Sequence, residues 1–160
     1  MSIIETRTAC FTGHRQIPTE EEEKIRARLD EVIEDLIGQG IDCFAAGGAL
    51  GFDTMAAQAV LRAKEKYPHI RLILVLPFPD QSKRWSERNR KVYEEIKLQA
   101  DEVEYTSEHY TRFCMFARNW RLVERACVCV AYQTKDTGGT AYTVKYARSK
   151  ELRIINIASK

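Results

Sequence analysis

Ala45-Ala46-Gly47-Gly48-Ala49-Leu50-Gly51-Phe52-Asp53-Thr54-Met55-Ala56-Ala57 decides how this chain is read. An apolar run, residues 41–46, leads into it. A helical pattern leaves it, with Phe52, Met55, Ala56, Ala59, Val60 and Ala63 on one face. The stretch therefore predicts strand, glycine turn, helix. Glycines in such a turn accept positive φ and let a ligand reach bare backbone. The helix behind offers unpaired N–H groups and the positive end of its dipole. Together these make an anion site, most often for phosphate. The same features also serve a tight βα turn without ligand, and the spacing is neither the dinucleotide fingerprint nor the P-loop.

Upstream, residues 8–12 read as a first strand ending in Gly13-His14-Arg15. Thr19 and Glu22 have the capping-box spacing, and Ile25, Leu29, Val32, Ile33 and Leu36 form the core stripe of the helix they open. Downstream, residues 70–76 (IRLILVL) are a continuous apolar run, as in a parallel strand covered on both faces. Pro77-Phe78-Pro79 ends it. A helix over residues 82–98, a weak strand over 102–105 and a helix marked by Phe113, Phe116, Trp120 and Val123 come next. A strand at 126–132 leads through a polar loop to a second glycine turn, Gly138-Gly139-Thr140, then a helix and a last strand over 152–157.

This strict alternation predicts one α/β domain over residues 1–160, a Rossmann-like three-layer fold with a mostly parallel sheet and helices on both faces. The favoured strand order is 3-2-1-4-5 with the sixth strand at an edge. In such sheets ligands bind beyond the carboxyl ends of the strands, near the switch point. Residues 12–15, 47–53, 77–81 and 137–143 all fall at those ends.

With 160 residues, 44% hydrophobic and 30% charged, the composition is that of a globular protein with a sizeable core. The net charge of +2 argues against nucleic acid and membrane surfaces as partners. No apolar run is long enough for a transmembrane helix, and residues 1–5 lack the pattern of a signal peptide, so a cytoplasmic location is expected. Five cysteines, most inside apolar runs, read as reduced and inert, with Cys114 the expected exception. The three histidines lack metal-ligand spacing, and no nucleophile elbow is present.

Arg15 is the natural phosphate partner, because its fork can pair two oxygens. His14 suits either a ligand contact or a bond to backbone. Asp53, in the first turn of its helix, complements the dipole or meets a ribose hydroxyl. Thr140 and Thr143 offer hydroxyls beside Gly138 and Gly139. Arg118, Arg121 and Arg125 have the spacing of a solvated helix face. Trp85, Phe113 and Trp120 read as core or dimer contacts rather than a base-stacking box.

Thr12-Gly13-His14-Arg15, Gly47 to Asp53, Pro77-Phe78 with Gln81 and Trp85, Arg118-Asn119, and Gly138-Gly139-Thr140 with Thr143 and Tyr146-Ala147 occur in this order. The set resembles the YpsA-like family of the SLOG superfamily of Rossmann-like nucleotide-binding domains. That superfamily also holds the DNA-processing protein DprA and the LOG phosphoribohydrolases. The resemblance implies a nucleotide or nucleotide-derived ligand, such as an ADP-ribose-like molecule, held by both glycine turns, and a cytosolic homodimer. With the residue-level reading, the expected ligand-binding set is Thr12, Gly13, His14, Arg15, Gly47, Gly48, Gly51, Phe52, Asp53, Pro77, Arg118, Asn119, Gly138, Gly139, Thr140 and Thr143. LOG hydrolases carry Pro-Gly-Gly-x-Gly-Thr-x-x-Glu at the later turn, with a catalytic glutamate. Here residues 137–144 read TGGTAYTV, without that glutamate. The leading expectation is thus a nucleotide-binding sensor or regulatory module, ahead of a phosphoribohydrolase and of DprA-like DNA binding.

Overall fold

A computed structural model describes residues 7–158; the reading of the N-terminus as free of a signal peptide lies outside them. Six strands and five helices alternate: β1 (Thr8–Gly13), α1 (Glu22–Gly38), β2 (Cys43–Ala46), α2 (Phe52–Lys66), β3 (Arg71–Leu76), α3 (Glu87–Gln99), β4 (Glu102–Tyr105), α4 (Cys114–Glu124), β5 (Val128–Tyr132), α5 (Gly139–Ser149) and β6 (Arg153–Asn156). All five strand pairings are parallel, in the order β4-β3-β2-β1-β5-β6. The α/β three-layer fold and its parallel sheet are as expected.

The place of β4 is a correction. It lies outside β3, not beside β1. The reason is in its side chains. Glu-Val-Glu-Tyr alternates between half-buried and exposed, whereas every residue of β5, Val-Cys-Val-Ala-Tyr, is buried. An interior parallel strand is covered on both faces, so β5 takes the position next to β1 and β4 becomes an edge. Glu102 and Glu104 sit on one face of β4 and pair with α4. Arg125 reaches both carboxylates, at 2.9 and 3.0 Å, and Arg121 reaches Glu104 at 2.7 Å. The arginine stripe of α4 is therefore engaged, not simply solvated.

From β1 to β4 each crossover steps the same way, so α1, α2 and α3 pack together on one face; α4 and α5 cover the other. Alternate strand residues serve the two sides. Phe11, Phe44, Leu72 and Leu74 join the larger core with Leu29, Ile33 and Phe52, while Cys10, Ala45, Ile73, Val75 and Cys129 meet Leu122, Val123 and Ala147. Residues 70 and 72–76 are all buried, as the apolar run required. The chain leaves β1 toward β2 and leaves β5 toward β6, in opposite directions. The switch point is the gap between the ends of β1 and β5.

Four local expectations change. The capping box at Thr19 and Glu22 does not form; a 3-10 turn, Thr19–Glu21, leads into α1 without a side-chain cap. The helix expected from residue 82 starts at Glu87, capped by the Ser86 hydroxyl, which accepts the Asn89 N–H at 3.1 Å. The inward face of α4 is Cys114, Arg118, Leu122 and Val123, so Cys114 is buried and not the exposed thiol expected. Phe113 is 58% exposed and is not core; it continues into an aromatic surface of Phe116, Trp120, Tyr142 and Tyr146 between α4 and α5. Burial raises the thiol pKa of Cys43 and Cys127; in Cys10 a hydrogen bond with Cys129, and after it burial, raises the pKa. No helix among the described residues is long and apolar enough to cross a membrane.

Candidate functional site

The turn after β1 and the turn before α2 are built into each other. A side chain on Gly13 would meet the Phe52 ring at 2.4 Å. Gly51 has φ +78°, and a Cβ there would lie 2.2 Å from the Arg15 carbonyl oxygen. The Phe52 N–H donates to the His14 carbonyl at 3.0 Å. Only glycine permits this approach at either position. The consequence for binding is specific: the first free N–H of α2 is spent inside the protein.

The Gly47-Gly48 turn is occupied as well. Arg118 comes from α4 across the strand ends, and its Nη1 donates to the Gly47 carbonyl. Its Nε donates to Asn119 Oδ1 at 2.8 Å. Asp53 crowds the same place; a Cβ on Gly47 would sit 2.9 Å from Arg118 and 3.0 Å from Asp53 Oδ2. Asp53 accepts the Ala49 N–H at 3.2 Å, and Thr54 donates its hydroxyl to the Ala49 carbonyl. Gly48, with φ +76°, is covered by Leu76 and by Gln81, whose amide donates to the Gly48 carbonyl at 3.3 Å. The stretch on which the fold turns is thus a closed structural knot, not an open phosphate cradle.

Burial dominates the charges in this knot. It pushes the Asp53 carboxyl up to about 6, against the opposing pull of Arg118, the Ala49 N–H and Arg15. Burial likewise lowers the pKa of the Arg118 guanidinium, which remains charged at any physiological pH. Asp53 therefore does more than complement the α2 dipole. It holds Ala49 in place and sits in a wall of the cleft.

The second glycine turn is open. Gly138 has φ +98°, and nothing lies within 4 Å of a Cβ built on Gly138 or Gly139. No side chain caps the N-terminus of α5. Gly138, Gly139 and Thr140 line a cleft of about 440 Å³ together with Phe11, Thr12, Gly13, His14, Arg15, Ala49, Asp53, Gln81, Trp85, Met115, Arg118, Asn119, Lys135 and Thr137, and Gly138 and Gly139 also border an apolar cavity with Phe113, Phe116, Trp120 and Tyr142. That volume lies within the range of small-molecule sites.

Of the expected residues, Thr12, Gly13, His14, Arg15, Asp53, Arg118, Asn119, Gly138, Gly139 and Thr140 line this cleft. Gly47, Gly48 and Gly51 support it from behind. Phe52 is a core ring, stacked against Tyr132 at 6.0 Å, and Pro77 is buried beyond the cleft wall. Thr143 donates its hydroxyl to the Gly139 carbonyl at 3.0 Å, one helical turn back, and is buried. Phe11, Ala49, Gln81, Trp85, Met115, Lys135 and Thr137 line the cleft too and were outside the expected set. Lys135 could have been found from its place in the polar loop at the end of β5; Met115 carries no signal beyond its helix position.

His14 and Arg15 divide the two roles considered for them. His14 Nε2 accepts the Thr134 N–H at 3.0 Å, so the imidazole is tied to backbone across the switch point. Burial, then the charge of Lys135, lowers its pKa. Arg15 and Lys135 form no ion pair among the described residues, although Arg15 acts on Asp53 at longer range, and both line the cleft beside the α5 N-terminus.

The sequence from residue 10 to 157 matches the YspA SLOG family. The chain belongs to this family. It is 33% identical over 128 residues to the UPF0398 protein of Bacillus pumilus, covering 78% of this chain and 69% of that protein. A UPF0398 relative from Halalkalibacterium halodurans is 30% identical over 130 residues, covering 79% and 69%. Among solved structures, DNA processing protein A (DprA) of Streptococcus pneumoniae superposes with a TM-score of 0.68 at 15% identity, over 96% of this chain and 50% of that one. DprA of Helicobacter pylori also gives 0.68, at 20% identity, over 96% of this chain and 66% of its own length. This chain thus spans half to two thirds of the DprA chains, and the likeness at these identities is one of fold.

The H. pylori protein is described by its single-stranded DNA binding mode. That corrects the expectation that nucleic acid is an unlikely partner for this fold. The inference from net charge failed for a physical reason: a sum of +2 averages over the surface, whereas phosphate responds to the local field of groups such as Arg15 and Lys135.

Proposed function

We propose that this protein binds a nucleotide or nucleotide-derived ligand in the cleft at the β1/β5 switch point, with a phosphate at the N-terminus of α5. One observation carries the reading: the uncapped, sterically open Gly138-Gly139 turn shares a cleft with the unpaired cations Arg15 and Lys135. Backbone N–H groups and the dipole supply the cradle, and the two side chains supply charge. Thr12 and Thr140 offer hydroxyls to ribose or phosphate oxygens. The Arg118-Asn119 pair and Asp53 stiffen the wall that faces them. Family membership supports the reading, and so does a switch-point position in a parallel sheet. Calorimetry with AMP and with ADP-ribose tests it: saturable binding in the wild type, lost when Arg15 and Lys135 are both replaced by alanine, is the expected result. Heat of dilution alone with both ligands would refute it.

A role as a ligand-binding sensor or regulatory module fits this geometry better than hydrolysis of an N-glycosidic bond. Asp53 is the carboxyl in the cleft with a pKa near neutrality, about 6, as a general acid needs. It is, however, already tied to Ala49 and wedged against Gly47.

A further inference from the structure

On the other side of His14 lies a second cavity, a larger lobe of about 760 Å³, between the start of α1 and the ends of β5 and β6. The two lobes share His14, Arg15 and Lys135 as common wall. The floor of the second lobe is apolar, from Ile25, Tyr132 and Ile157, and its rim carries Arg15, Lys24 and Lys135. Lys24, like the other two, forms no ion pair among the described residues. Arg28 adds a fourth cation, its Nη1 holding the Ile157 carbonyl. Glu20 and Glu21 also line the lobe, so cations outnumber carboxylates by two. An apolar floor under a cationic rim suits a sugar or base with a phosphate attached.

We infer that this lobe is a second phosphate subsite, and that the ligand is two nucleotide units long, its linking phosphate passing the His14 bridge under Arg15 and Lys135. The inference rests on the nucleotide-binding reading and extends it from one unit to two. A free dinucleotide and a single-stranded nucleic acid share this chemistry. In either case that linking phosphate is the one Lys24 meets at the rim of the second lobe, while the first unit's own phosphate keeps the α5 N-terminus.

Calorimetry on the full chain at several salt concentrations tests this with AMP, the 5′-phosphorylated dinucleotide pApA, a diphosphate-linked adenine dinucleotide and a six-residue oligothymidylate. The wild type should bind at least one two-unit ligand more tightly than AMP. Lys24→Ala should weaken that ligand about two- to fivefold, as expected for an exposed charge contact. Lys24→Glu should weaken it further, and the slope of log K against log salt should fall by about one for the alanine variant. AMP affinity should not change in either variant, and thermal melts should match the wild type. A gain with the dinucleotides but not the oligomer identifies a free ligand; the reverse identifies nucleic acid. AMP binding with no gain from any longer ligand, or a gain that both Lys24 variants leave intact, overturns the second subsite alone. Failure of every ligand to bind the wild type overturns the nucleotide reading itself.

Discussion

The His14 imidazole and the backbone of Thr134 are 120 residues apart in sequence and hydrogen-bonded at 3.0 Å, joining the loops that follow β1 and β5 where the sheet's two halves diverge. The acceptor is Nε2, so the bond from the Thr134 N–H requires a neutral ring; in an imidazolium that nitrogen gives up the amide and donates instead to the Thr134 hydroxyl, also 3.0 Å away. Burial, then the Lys135 charge, holds the folded-state pKa below the ordinary 6.5, so the neutral ring's contribution is complete above pH 6.5 and is lost as pH falls through the lower folded value. The Thr134 amide resonance should therefore titrate with His14, with a midpoint below 6.5, and cease to do so in His14→Ala. An amide insensitive to pH in the wild type would show that the bridge is not formed in solution.

Arg15 should act on binding and not on stability. It lies in a loop and makes no ion pair among the described residues. Arg15→Ala removes charge-assisted hydrogen bonds of roughly 1.5–3 kcal/mol, so affinity for AMP should fall about ten- to a hundredfold. Arg15→Lys should recover only part of the loss, since an ammonium cannot pair two oxygens in one plane. Calorimetry reads the affinity, and melts without ligand check the fold. Unchanged affinity in a folded Arg15→Ala protein would exclude the contact.

The two glycine turns should respond to alanine in opposite ways. Gly51→Ala forces a Cβ to within 2.2 Å of the Arg15 carbonyl at φ +78°, so the β1 loop and the start of α2 must part. Backbone strain of this kind costs about 1–3 kcal/mol before any clash is counted, and the melting temperature should drop by several degrees. Gly139→Ala meets nothing within 4 Å and should leave the melt unchanged. It places a methyl at the mouth of the α5 cradle, and AMP affinity should fall. Equal stability in the two variants would contradict the distinction between a closed knot and an open turn.

Asp53 should imprint a pH dependence on stability. Its folded pKa of about 6 lies above the unfolded 3.8, so its contribution is fully present below pH 3.8 and is lost as pH rises through 6. The full span is on the order of 2–3 kcal/mol. Asp53→Asn keeps an acceptor for Ala49 but cannot titrate, so its urea midpoint should vary less than the wild type's between pH 4 and 6.5. Parallel profiles for the two proteins would show that the carboxyl does not titrate in that window.

Catalysis gives the last test. The α5 turn lacks the glutamate of LOG hydrolases, so incubation with AMP should release no adenine above background. Release that vanishes in Asp53→Asn while AMP binding persists would replace the binding-module reading with a hydrolase.

Much of this protein is legible in one dimension. The alternation of patterns determined a parallel three-layer α/β fold, because the period of apolar residues follows from strand and helix geometry alone. It also placed Thr12, Arg15 and Gly138 to Thr140 at strand ends, since any parallel sheet gathers its carboxyl ends at one edge. The strand order is not read correctly this way: β4 is expected beside β1, and only the assembled sheet puts it at the edge, where Glu102 and Glu104 pair with arginines of the α4 segment. Other properties exist only in three dimensions. Gly47-Gly48 and Gly138-Gly139 look alike as sequence, and only packing distinguishes them. Arg118 and Asp53 close the first turn, from residues 71 and 6 positions away, while nothing approaches the second. A glycine records the freedom of its own backbone and not the atoms that come to occupy the space beside it. The same holds for His14, whose bond to Thr134 depends on β1 and β5 becoming neighbours, and for Lys135, which becomes a site residue through the same strand pairing.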